Sequence, residues 1–157
     1  MSSSTSSAFS FEEPSHVVPP AELLTVAFSI FPDVSGSSIK ASTWPWERIV
    51  QYIASPTKEF ASKQDCPLIK LATFGQQRTE KGSLRHDANV LKVTGLEGDY
   101  DAGEVRINEA AMLLSDAGIT AVIYTSPSHT EQAPRWRVLC PLSHPSPRGS
   151  ERICWPG

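Results

Sequence analysis

The chain has 157 residues, 39% apolar and 20% charged, with a formal net charge of −3. That length fits one domain of roughly 100–200 residues, and the composition excludes collagen-like, coiled-coil and low-complexity chains. Its longest apolar stretches, such as Ala121-Val122-Ile123-Tyr124, fall far short of the ~18 residues of a membrane helix, and the N-terminus lacks the Lys or Arg and the long apolar run of a standard secretory signal. The expectation is a cytoplasmic protein with no membrane partner. Cys66, Cys140 and Cys154 form no CxxC pair, which suits reduced thiols rather than a disulfide framework. Charge is unevenly spread: residues 1–39 hold four acids and no Lys or Arg, residues 40–92 nine bases against five acids, and residues 93–157 eight acids against five bases. A basic middle beside acidic segments suits a metal site facing a phosphate-binding surface, and equally an ordinary solvated surface.

Residues 1–20, rich in Ser and Pro, cannot bury enough surface to offset their ordering entropy and are expected to be a disordered leader. The core is placed at 21–143 and an irregular tail at 144–157. Leu23 to Phe31 is apolar and β-favouring and stops at Pro32-Asp33, which predicts a strand. From Trp46, Ile49, Val50, Ile53 and Ala54 fall at helical spacing, with Thr43 as N-cap, Pro45 near the start and Pro56 as a stop. Leu68–Phe74 predicts a short strand, followed by a long polar loop over Gly75–Asn89. Val90 opens a strand running to Asp101. Asn108–Ala117 predicts a helix capped by Asn108 and closed by Gly118. Ile119–Ser126 and Trp136–Leu142 predict two further strands. Strand, helix and strand through 90–126 form a βαβ crossover, and the polar link 127–135 lets the last strand return antiparallel. The expected class is α+β, a mixed β-sheet with helices packed on one face.

Three groups of residues carry possible chemistry. In Glu97-Gly98-Asp99-Tyr100-Asp101-Ala102-Gly103, Asp99 and Asp101 point the same way on an extended strand, roughly 6.5–7 Å apart. Two such carboxylates can bracket hard cations, as two-metal phosphoryl transfer requires; Glu97 shares their parity. An EF-hand loop counted from Asp99 would need Gly at its sixth position and Glu at its twelfth, where Glu104 and Ala110 stand. The competing reading is an acidic turn between strand and helix. The second group, Tyr124-Thr125-Ser126-Pro127-Ser128-His129-Thr130, lies at the far end of a strand, where binding residues collect; it equally suits a surface loop. The third, Pro134-Arg135-Trp136-Arg137, puts Arg135 and Arg137 on one strand face, where two guanidinium forks suit phosphate oxygens or simply flank a core Trp136. Lys70, Arg78, Lys81 and Arg85 would extend the basic surface. Cys140 and His144 lack a further zinc-type pair.

From GDYDAG through the helix to YTSPSHT and PRWRVLCPLS, the sequence resembles the catalytic core of archaeo-eukaryotic primases, more narrowly the primase-polymerase domains of phage, plasmid and integrated-element replication proteins. The match covers roughly residues 68–143. It implies an RNA-recognition-motif-like core, incomplete here, in which Asp99 and Asp101 hold Mg²⁺ or Mn²⁺. It also implies that His129 of the Ser128-His129 motif contacts the phosphates of the incoming nucleotide. Ser126, Ser128, Arg135 and Arg137 would complete the nucleotide-binding set, with Asp99, Asp101 and His129 catalytic. The expected partners are a single-stranded nucleic acid template and nucleoside triphosphates, with a replicative helicase module in longer relatives. The family's third acidic ligand has no counterpart, since Glu131 and Glu151 are the only acids after His129, so the core reads as truncated at its C-terminal side. Two rivals follow: a non-catalytic or degenerate nucleic-acid-binding remnant of the fold, and a nuclease using the same D-x-D.

Overall fold

A computed structural model describes residues 24–55 and 62–147. The expected leader over 1–20, the stop at Pro56 and residues 148–157 of the expected tail lie outside them. Strand β1 (Thr25–Phe31) buries Val26, Phe28 and Phe31 and pairs antiparallel with β2 (Lys40–Pro45) on one side and β3 (Leu68–Lys70) on the other. Strand β2 is an addition to the predicted elements. Thr43, expected to cap the helix, sits in the ladder opposite Ala27. Helix α1 (Trp46–Ala54) begins after Pro45, whose ψ of 142° is extended, and Trp46 N–H donates to Leu24 O at 2.7 Å. Its Trp46 and Ile49 sink into the core against Val26, Phe28, Ile69, Leu71 and Leu139, each large side chain contributing ~1.5–3 kcal/mol by burial.

The segment 68–74, expected as one strand, bends at Leu71. Before the bend β3 belongs to the first sheet; after it β4 (Ala72–Phe74) pairs with β5 (Val90–Tyr100) in a second sheet ordered β4-β5-β7-β6. The buried Leu71 offers its carbonyl to both Thr94 N–H (2.8 Å) and Gly95 N–H (3.1 Å). Where the sheets meet without a ladder, hydroxyls take over: Ser29 Oγ donates to Ala72 O at 2.8 Å and Thr94 Oγ1 to Ala27 O at 2.6 Å. The result is a curled, half-barrel α+β fold.

Helix α2 (Ile107–Asp116) connects β5 to β6 (Val122–Thr125), and β7 (Trp136–Pro147) returns antiparallel between them. The crossover is therefore a split βαβ unit. All pairings among the described residues are antiparallel rather than mixed. Helix α2 starts one residue ahead of expectation: Arg106 is its N-cap and donates its N–H to the Glu109 carboxylate at 2.9 Å, while Asn108 Oδ1 accepts from Glu109 N–H. Gly118, at φ +65°, closes it as expected. The helices do not share a face. Val122 and Tyr124 join the core under α1, whereas Ile123, alternating to the other side, lines a groove with Ala111 and Leu114 of α2. Strand β7 runs past Leu142 through Pro147, so the first residues of the expected tail are sheet. Among the described residues, no helix is long and apolar enough to cross a membrane.

The long loop 75–89 is tied down by buried Asn89, whose Nδ2 donates to Leu84 O (2.7 Å) and Gly75 O (3.1 Å) and whose Oδ1 accepts from Gln77 N–H (2.9 Å). Asn89→Ala orphans these groups and is expected to cost about 2–3 kcal/mol, read as a lower urea midpoint at unchanged slope.

Candidate active site at the end of the second sheet

Register brings the candidate residues to one end of the sheet. Successive rows across β5, β7 and β6 are Glu97, Leu139 and Val122; Gly98, Val138 and Ile123; Asp99, Arg137 and Tyr124; Tyr100, Trp136 and Thr125. Ser126 N–H donating to Arg135 O at 3.0 Å extends the pairing one step further.

The third row is the electrostatic centre. The Arg137 fork grips the Asp99 carboxylate through Nε to Oδ1 and through a terminal nitrogen to Oδ2 at 2.8 Å. The Asp99 carboxyl is held below its usual range, first by this hydrogen bonding against a partial burial penalty, and the guanidinium is pushed up by the same pair. A depressed carboxylate stabilises the fold above its unfolded pKa of ~3.9, and that contribution is lost as pH falls through the lower folded value. Tyr124, on the far side of Arg137, has its phenol pushed up by burial. Two rows nearer the sheet centre, Glu97 is spent on structure, accepting from Lys70 Nζ at 2.6 Å and Leu71 N–H at 2.7 Å.

The loop after β6 forms a second cluster. His129 N–H donates to Ser126 O (3.0 Å), Ser126 and Ser128 hydroxyls meet at 3.3 Å, and Arg135 N–H donates to His129 Nδ1 at 3.1 Å. That last bond makes Nδ1 the acceptor, so the neutral ring carries its proton on Nε2, a donor suited to an anion. His129 lines a cleft of about 240 Å³ with Arg106, Ile107, Asn108, Glu131 and Pro134, at the N-terminal turn of α2.

Several expectations change. Asp101 lies beyond the end of β5, so strand alternation does not fix it beside Asp99; Arg135 likewise precedes β7, so Arg137 alone stands on the strand face. The loop of His129 and the strand of Asp99 are not neighbours, because β7 lies between them. Trp136 is no core residue: half-buried, it stacks on Tyr100 at 4.7 Å and donates Nε1–H to Val105 O. Of the expected basic surface, Lys70 pairs with Glu97, Arg78 donates to Ser37 O and Gly82 O, and Arg85 donates to Val34 O. Lys81 stays exposed. Arg106 is the participant that sequence reasoning missed: it stood between the predicted strand and helix, and only cleft shape brings it to the site. Tyr124 was singled out with the loop that follows it, and strand register sets it beside Arg137.

Asp99 and Asp101 are hard oxygen donors of the kind that Mg²⁺ or Mn²⁺ takes, but Arg137 holds both Asp99 oxygens and Asp101 lies beyond β5. Among the described residues, no group of three or more His, Cys, Asp or Glu gathers as a metal cage. Comparison with protein-family models, curated proteins and solved structures returns no match.

Proposed function

We propose that the chain is the core of a template-directed nucleotidyltransferase, a primase or polymerase of the replication-protein type, acting on nucleoside triphosphates over a single-stranded template. The observation that carries this reading is the split βαβ unit, in which β7 holds the D-x-D end of β5 and the Ser126–His129 loop after β6 at one end of the sheet. That arrangement supports the reading because it gathers the two motifs the resemblance depends on at one sheet end. Asp99 and Asp101 would hold Mg²⁺ or Mn²⁺. When bound, such ions lower the barrier to attack of a 3′-hydroxyl on the α-phosphate by charge stabilisation and alignment. His129 would donate from Nε2 to the triphosphate. Arg137 and Arg135, with the Ser126 and Ser128 hydroxyls, would neutralise and orient the phosphate oxygens.

A second reading, a non-catalytic nucleic-acid-binding remnant of the same fold, is favoured by one observation: Arg137 occupies both oxygens of Asp99 and Lys70 occupies Glu97. Incorporation of labelled dNTPs or NTPs on a single-stranded template, with Mg²⁺, Mn²⁺ or EDTA, separates the two. Metal-dependent synthesis is expected. Its absence from a folded chain that still binds single strands in a salt-sensitive manner overturns the enzymatic reading in favour of the remnant.

A further inference from the structure

A second, larger cleft of about 410 Å³ opens where the chain turns from β3 into β4, a volume within the ~300–1,000 Å³ of small-molecule sites. Neither Asp99 nor His129 lines it. Phe74, Val93 and Leu96 make much of its wall apolar, but its charges do not balance. Glu97 is neutralised by Lys70 Nζ at 2.6 Å and also accepts Leu71 N–H. Half-buried Arg85 has no such partner: among the described residues no carboxylate forms an ion pair with it, and its buried Nε has no hydrogen-bond partner. A terminal nitrogen donates to Val34 O at 3.0 Å, which takes one N–H and none of the charge. A guanidinium drawn away from water without a counter-ion is costly, as is a buried donor without an acceptor. An anion in the cleft relieves both. The remaining acid of the lining, Asp87, is exposed, where solvent screens it, and His86 donates its Nε2–H to Gln77 O at 2.9 Å.

We infer that this cleft binds a small organic anion, its charged head on Arg85 and its apolar body against Phe74, Val93 and Leu96. Carboxylates and phosphate monoesters share the head-group geometry that a guanidinium fork recognises, so the ligand class is one anionic head joined to an apolar or aromatic body. The wall is preformed: Phe74 is braced edge-on at 5.1 Å by Phe31, which is itself fully buried. Burial of the body supplies affinity and the head supplies selection by charge. A neutral molecule of the same shape leaves the guanidinium as it was.

The test titrates benzoate, phenyl phosphate and, as the neutral body, benzyl alcohol into the full chain, followed by the methyl and aromatic NMR signals of Val93, Leu96 and Phe74. At least one anion is expected to give saturable shifts there and to bind about tenfold more tightly than benzyl alcohol, the scale of one charge-assisted hydrogen bond. The tighter anion identifies the head group. Arg85→Gln should abolish the preference for the anion over the alcohol. Leu96→Glu, at a position 47% exposed, serves if the Gln variant does not fold: it sets a like charge in the lining and should weaken the anion severalfold while sparing benzyl alcohol. Equal binding of anion and alcohol by the wild type, or a folded variant that prefers the anion as strongly as the wild type does, overturns the inference. So does the absence of saturable shifts with both anions.

Discussion

Asp99→Ala is expected to lower templated nucleotide incorporation by about 10²–10³-fold, the scale on which removal of one preorganised electrostatic group slows a reaction. The loss should fall on kcat rather than on template binding, because on the proposed reading the carboxylate holds the ion that stabilises charge developing on the transferring phosphoryl oxygens. The fold should survive, since the Asp99 side chain is more than half exposed and Arg137 can turn to solvent; exposed ion pairs typically contribute only ~0–1 kcal/mol. Single-turnover incorporation, run beside thermal unfolding of the same preparation, reads both quantities. Incorporation unchanged in a folded Asp99→Ala chain would remove Asp99 from the chemistry.

The second large effect is structural. A Cβ added at Gly95 would lie 2.2 Å from Leu71 Cδ1, 2.8 Å from Leu71 Cβ and 2.7 Å from the carbonyl oxygen of Cys140. The first two contacts belong to a fully buried side chain and the third to the backbone of β7, so none can simply swing away. Gly95→Ala is expected to cost about 3 kcal/mol, a large share of the 5–15 kcal/mol that holds a typical domain together. Urea denaturation should show a lower midpoint. A double-mutant cycle with Leu71→Ala should return a favourable coupling, but only part of the loss, because the Cys140 carbonyl remains in place. An unaltered midpoint would mean that the β4, β5 and β7 backbones approach less closely at Gly95 than described.

Much of the local structure was legible in the residues. The alternating run through Val93 and Glu97, the apolar spacing of 107–116 with Gly118 behind it, and the β-branched 122–125 each declare their element within a short window. Strand β2 did not, because Lys40-Ala41-Ser42-Thr43 lacks an apolar alternation and Thr43-Trp44-Pro45 has the composition of a helix entry. Its strand character comes from pairing with β1, a tertiary cause. The bend at Leu71 was hidden for a similar reason: LIKLATF is uniformly β-favouring, and only the two sheets on either side distinguish its halves. At the site, D-x-D and the Ser-His loop were visible as motifs and their common sheet end was anticipated. The insertion of β7 between their strands was not, because strand order depends on contacts between distant segments. Thus the grip of Arg137 on Asp99 and the place of Tyr124 beside it follow from register, while Arg78 and Arg85, read as free charge, are absorbed by carbonyls of the 32–37 and 75–89 loops.

The insertion of β7 also has a consequence for how the site comes into being. Strands β5 and β6 share no direct pairing, and the strand that joins them is the last of the described chain. During synthesis, at about 5–20 residues per second, Asp99 emerges seconds before Arg137. Until then, neither the carboxylate nor the Ser126–His129 loop has the neighbour that positions it. The β1–β2 hairpin and α1 lie upstream and can order earlier, so the two ends of the molecule mature at different times. A nascent or nicked chain lacking residues 136–147 would keep both motifs in its sequence and have no site.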